Sequence, residues 1–268
     1  LNYTQVFFRW EQIPNAQSYT LSIQNLSSGE ETEIITPHNS KLVTDFMEWN
    51  STYSWNICGL FADSDTPFCS EINSFYVNSL PDYFPDDINI LNYDELFSQQ
   101  GITVMDFESL KFSSALDKYG TPIWFVDKND FNNVFIFTQF LQNGNVVGFG
   151  PGIGYEIDLN GNIVFETLDI TDINSIHHQF IKTSNNTYFF ISATVEDQYC
   201  PDECNDSLPD EIPWQGDIFR EFDQNGNEIW SWNTFDYYDL TEYNPYYVEI
   251  YNGWDEMDWT HSNSVFFD

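Results

Sequence analysis

Short alternating runs dominate the chain. Val6, Phe8 and Trp10 alternate with polar neighbours in "TQVFFRW", and Tyr19, Leu21 and Ile23 do so again after an "IPNA" turn. This is the period-two pattern of half-buried strands. Further on, "TYSWNICGLF" sets Tyr53, Trp55 and Ile57 on one face, and "INSFYV" sets Phe75 and Val77 on another. The apolar runs are short, aromatic or β-branched, and broken by Asn, Asp, Gly and Ser, which favours strands over helices. The pattern predicts a nearly all-β protein. From Leu80 to Gly101 the sequence "LPDYFPDDINILNYDELFSQQG" has the prolines and acids of a linker, with one short helical turn near "YDELFSQQ".

Beyond the linker the sequence repeats itself. "DKYGTPIW", "DLNGNIVF" and "DQNGNEIW", starting at Asp117, Asp158 and Asp223, share an Asp, a Gly three residues on, then an aliphatic and an aromatic residue. A second element, "QNGNVVGF" and "SNNTYFFI", interleaves with the first, and both recur at about 41 to 42 residues. Two different elements at one period predict repeats of several short strands each, of the kind that build a β-propeller. The next interval, Asp158 to Asp223, is longer by about 24 residues, an excess placed in a loop within "VEDQYCPDECNDSLPDEIPWQ". The Asp-x-Asn-Gly-Asn segments offer hard oxygen ligands but lack the glycine and distant acid of an EF-hand loop. Asn-Gly is the favoured centre of a two-residue hairpin, so turn chemistry is the reading taken. The expected division is a sandwich over 1–79, a linker over 80–101 and propeller repeats over 102–268.

Composition narrows the partners. Forty-three acidic against seven basic residues give a formal charge of −36, which repels nucleic acid and anionic membranes. Any anion site must therefore be built locally, against the global field. Cys58 with Cys69 and Cys200 with Cys204 form two close pairs in polar stretches, a pattern that suits disulfides in an oxidising compartment. No apolar run has the length of a membrane span, and no leader is present at Leu1. A mature exported product is expected: secreted, periplasmic or at a bacterial cell surface.

Candidate chemistry lies in the histidines. "NSIHHQF" carries His177 and His178, and "DWTHSNSV" carries His261. In a propeller the innermost strands converge on a central channel, where side chains distant in sequence meet. His178 falls where an innermost strand is expected, and "SNSVFF" after His261 reads as the matching strand of the next repeat. Asn263 can orient His261 or donate beside it, and Trp254, Trp259 and Tyr155 can stack on an aromatic ring.

Two resemblances follow. "FRWEQIPNAQSYTLSI" through "STYSWNICGL" to "SFYV" resembles a fibronectin type III module, which implies that Cys58 and Cys69 staple neighbouring strands or their loop. "GYEIDLNGNIVFE", "HHQF", "GDIFREFDQNGNEIWSW" and "DWTHSNSV" resemble the arylsulfotransferase family over about residues 102–268. These are bacterial exported enzymes with a six-bladed propeller. They move a sulfuryl group between phenols through a transiently sulfated histidine, without the nucleotide sulfate donor, and no cofactor or metal is expected. The resemblance implies that His261 and one of His177 and His178 bind or polarise sulfuryl oxygens. In the family an arginine follows the "DWxHxNS" element and the nucleophilic histidine lies in a later blade. The only arginines here are Arg9 and Arg220, so further blades are expected from a longer chain or another one. The alternative is a non-catalytic surface module for adhesion, glycan binding or assembly; a two-carboxylate glycosidase is a third, less specific possibility.

Overall fold

The computed structural model describes residues 1–62, 64–86, 88–91, 94–97, 99, 101–107, 109–167, 176–200, 211–244 and 256–266. Their regular structure is nearly all β. By its internal contacts the chain divides into two compact units, Leu1–Asp127 and Lys128–Asp268.

In the first unit, β1 (Val6–Arg9), β2 (Ser18–Asn25), β3 (Glu31–Thr36), β4 (Ser40–Val43), β5 (Ser51–Phe61), β6 (Ser64–Cys69) and β7 (Asn73–Val77) form two sheets. One pairs β1 with β4; the other runs β3-β2-β5-β6, with β7 also on β5. The predicted alternation is what closes them. Val6, Phe8, Tyr19, Leu21, Ile23, Tyr53, Ile57 and Val77 are all buried in one core. Phe8 meets Trp55 edge-on at 5.2 Å, and Phe75 stacks on Tyr53 at 5.3 Å. Cys58 and Cys69 sit opposite each other on β5 and β6 and are joined by a disulfide. A three-stranded meander follows in the same unit, made of β8 (Thr103–Phe107), β9 (Phe112–Leu116) and β10 (Pro122–Phe125). The stretch after β7 does more than connect: Phe84 is buried with Phe112, Leu116 and Phe125, and Leu80, Tyr83 and Ile88 pack on them.

The second unit opens with a short 3-10 turn, Lys128–Phe131, and continues as two four-stranded antiparallel meanders. The first contains β11 (Ile136–Phe140), β12 (Val146–Gly150), β13 (Ile153–Ile157) and β14 (Ile163–Glu166). The second contains β15 (Ile176–Lys182), β16 (Tyr188–Tyr199), β17 (Glu211–Phe222) and β18 (Glu228–Asn233). A single helical turn, α1 (Thr234–Tyr237), follows, and β19 (Met257–Asp258) adds in parallel to β17. The two meanders meet face to face through Val147, Phe149, Phe180, Tyr188, Phe190 and Phe222. Gly154 makes this approach possible, because a Cβ there would lie 2.3 Å from the Phe180 ring.

The repeated sequence elements are the hairpin turns of these sheets. Asp117, Asp158 and Asp223 each turn a carboxylate oxygen onto the backbone N–H groups two and four residues on. Asp158 and Asp223 connect the third pair of strands of a four-stranded meander, Asp117 connects the last pair of the three-stranded one, and the elements at Leu141 and Thr183 connect the first pair. The two-residue turn expected from Asn-Gly is corrected. The backbone bond from the N–H of Asp158 to the carbonyl of Asn162 encloses three residues. Only Gly161 among them has positive φ, at 85°, and the ladder shifts register beside it. This is a type I turn with a glycine bulge, in which glycine supplies the left-handed position and Asn160 need not.

The inserted residues are also placed more closely. They lengthen β16 and β17 to 12 residues each, against five in β12 and β13, so much of the predicted loop is an extended hairpin arm. Cys204 and Trp254 lie outside the described residues.

Candidate functional site

The site sits where β15, β17 and the segment after β19 come together. Along a regular strand His177 and His178 would face opposite sides of the sheet. They do not, because the ladder between β15 and β16 shifts register between Ile176 and Phe180, and His178 adopts a left-handed φ of 57°. This bulge swings both imidazoles to one side, with ring centroids 5.1 Å apart. A non-glycine residue in that region is strained, and such strain persists where the surroundings hold it.

His261 closes the cluster. Its ring lies 4.8 Å from that of His178 and 5.9 Å from that of His177. The Nε2 atoms of His178 and His261 face each other at 2.7 Å, and His261 Nδ1 is 2.7 Å from Asp258 Oδ2. A carboxylate can only accept, so neutral His261 carries its proton on Nδ1, and the proton between the two rings belongs to His178. Burial, and then the neighbouring His177 and His261, hold His178 below the ordinary histidine range; Asp217 and Asp258 oppose that shift.

Asp217 anchors the third histidine from within. Its side chain is fully buried on β17, with Oδ1 2.9 Å from His177 Nε2. Its Oδ2 accepts from the Ser262 backbone N–H at 2.9 Å and from the Ser262 hydroxyl at 2.7 Å. Burial alone would raise its pKa, but these bonds outweigh that and hold it below the ordinary carboxylate range.

The strand expected over "SNSVFF" is corrected: residues 259–266 form no ladder. Trp259 and Thr260 donate their N–H groups to the Gln215 carbonyl, Ser262 donates to Asp217, and Val265 donates to Gln179 Oε1 at 2.5 Å; the ladder is formed earlier, by Met257 and Asp258 against Trp214 and Gln215.

The structure therefore brings His177, His178 and His261 together. Asn263 donates to the His261 carbonyl at 3.1 Å and so braces that turn. Trp259 packs on Phe235 at 5.0 Å and on the buried Trp214 at 6.1 Å. Tyr155 is buried on β13, edge-on to Phe131 at 5.0 Å, in the preceding sheet. Arg220 is paired with Glu228 across β17 and β18. Sequence reasoning missed Asp217, Asp258, Ser262 and Gln179. Among 43 acids nothing singled out two, although an acid directly after Gly216 in an apolar strand was a usable signal. Among the described residues no group of His, Cys, Asp and Glu is arranged to hold a metal ion.

No helix of the described residues is long and apolar enough to cross a membrane. A search of curated protein sequences gave no match. A sequence model of the arylsulfotransferase (ASST) family matches residues 74–268, which include the stretch after β7, the meanders and all three clustered histidines. The chain belongs to the arylsulfotransferase family.

Proposed function

We propose that the protein is an exported aryl-sulfate sulfotransferase in which the His178–His261 pair binds the oxygens of the sulfuryl group in transfer. The observation that carries this reading is the pair itself, two imidazole Nε2 atoms 2.7 Å apart on a solvent-exposed site, in a chain whose family supports a sulfotransferase-like function. Opened by an anion, the His178 Nε2–H can donate to one sulfuryl oxygen, and His261 can donate to another through Nε2 once it takes up a second proton from solvent. By analogy with phosphoryl transfer, a sulfuryl group in flight passes through a loose transition state with charge on its equatorial oxygens, and positioned donors stabilise it. The aryl O–S bond breaks, the sulfuryl group passes to a histidine nitrogen, and the leaving phenolate takes a proton. His261, doubly protonated in that state and held through Nδ1 by Asp258 Oδ2 at 2.7 Å, is placed to supply it from Nε2. An acceptor phenol then gives up its proton and takes the sulfuryl group, leaving one phenol and one new aryl sulfate.

In this reading the sulfated histidine and the family's arginine lie outside the 268 residues, on further blades of a six-bladed ring whose first repeats are the meanders described above. A fibronectin type III-like sandwich precedes them. The Cys58–Cys69 disulfide fits an oxidising, extracytoplasmic compartment. Incubation with a chromogenic aryl sulfate and a phenol acceptor should release colour and form the sulfated acceptor. Failure to form it in the completed ring would leave the alternative, a binding module for adhesion, glycan recognition or assembly.

A further inference from the structure

We propose that Asp217 is a positioning residue of the histidine site. Its one carboxylate fixes the tautomer of His177 and seats the His261 segment against the β15 histidines. The consequence for catalysis rests on the sulfuryl-transfer reading; the positioning itself rests on geometry alone.

A fully buried carboxylate needs its lone pairs met. Asp217 meets them from two segments far apart in sequence: Oδ1 takes His177, and Oδ2 takes both donors of Ser262, the residue next to His261. An ionised carboxylate accepts only, so His177 must hold its proton on Nε2. The other tautomer is doubly disfavoured. It would point a lone pair at the carboxylate and place an N–H on Nδ1, a buried atom with no hydrogen-bond partner.

The carboxylate is itself fixed. The Asp217 backbone N–H donates to Thr234 Oγ1 at 3.0 Å. That contact is possible because residue 216 is glycine, where a Cβ would lie 2.4 Å from the same oxygen. Thr234, Gly216 and Asp217 thus form a rigid post on β17. Against it the bulged His177–His178 pair and the irregular His261–Ser262 turn are both registered. Remove the charge, and the bonds that seat both histidine segments on β17 are weakened.

Nitrogen-15 NMR of the imidazoles of the full chain tests this. In the native protein His177 should appear as the Nε2–H tautomer, and His178 and His261 should share one proton signal. Asp217→Asn keeps the shape but turns an NH2 toward one of the two segments. It should shift His177 toward Nδ1–H or broaden the shared signal, and lower kcat about a hundred-fold, as misplacement of a reacting group does. Ser262→Ala, which retains the backbone bond, should keep the His177 tautomer. Should Asp217→Asn not fold, the native spectrum alone decides, because His177 found as Nδ1–H overturns the assignment. So does an Asp217→Asn protein with a native tautomer and an intact shared proton. A native protein with the expected spectrum but no sulfuryl transfer would support the positioning role and strike only the reaction reading.

Discussion

In the completed ring, His261→Ala is expected to transfer sulfuryl groups about a thousand-fold more slowly than the native protein, with its unfolding midpoint nearly unchanged. A positioned proton donor contributes about 10²–10⁴ in rate. The side chain of His261 is 48 % exposed, so its loss opens no cavity and, by the behaviour of surface substitutions, shifts stability by only about 0.5 kcal/mol. His178→Ala should slow the reaction similarly. The double variant should be little worse than either single one, because the two rings hold one proton between them and act as a unit. Release of phenol from a chromogenic sulfate, with thermal unfolding alongside, reads both quantities. Native rates in His261→Ala would remove this residue from the chemistry.

The largest effect on stability is expected at Lys182. Glu156 on β13 is 1 % exposed and accepts from Lys182 Nζ at 2.7 Å, from the Tyr188 hydroxyl and from Asn145. This network ties the two meanders of the second unit together. Burial pushes the Glu156 carboxyl up, but the bonds from Lys182, Tyr188 and Asn145 outweigh it and hold the pKa below the ordinary value. Lys182→Met removes the cation and leaves a buried charge, a change that costs about 3 kcal/mol. The sign with pH follows. In the native protein the unfolded chain binds the proton more readily, so this stabilisation is present above the ordinary carboxylate pKa and is lost as pH falls through the lowered folded value. The variant moves the other way, since protonating Glu156 relieves its unpaired charge. Urea unfolding at pH 7 and pH 4 should therefore show a gap between the two proteins that closes at the lower pH. An equal gap at both would mean that Glu156 is not the group concerned.

Local chemistry was the legible part of the sequence. Alternation at Val6, Phe8, Tyr19, Leu21 and Ile23 is a property of each strand alone, and those residues belong to the core of the first unit. The Asp-x-x-Gly elements are equally self-contained, since each aspartate bonds its own turn. What escaped was set by contacts between distant segments. The bulge that turns His177 and His178 to one side has no glycine to announce it, because His178 itself takes the left-handed position. "SNSVFF" carries strand-like residues, yet Asp217 and Gln179 satisfy its backbone in place of a neighbouring strand. Asp217 was invisible among so many acids because its meaning lies in the two histidine-bearing segments that it joins.

The central claim is that His178 and His261 together bind the oxygens of the sulfuryl group. Titrating the full chain with an aryl sulfate while recording the imidazole nitrogens tests it most directly. The account predicts that the shared proton signal of His178 and His261 is replaced by two separate N–H signals, while His38, exposed in the first unit, stays unmoved. An unchanged pair at saturating aryl sulfate, or shifts confined to His38, would contradict it.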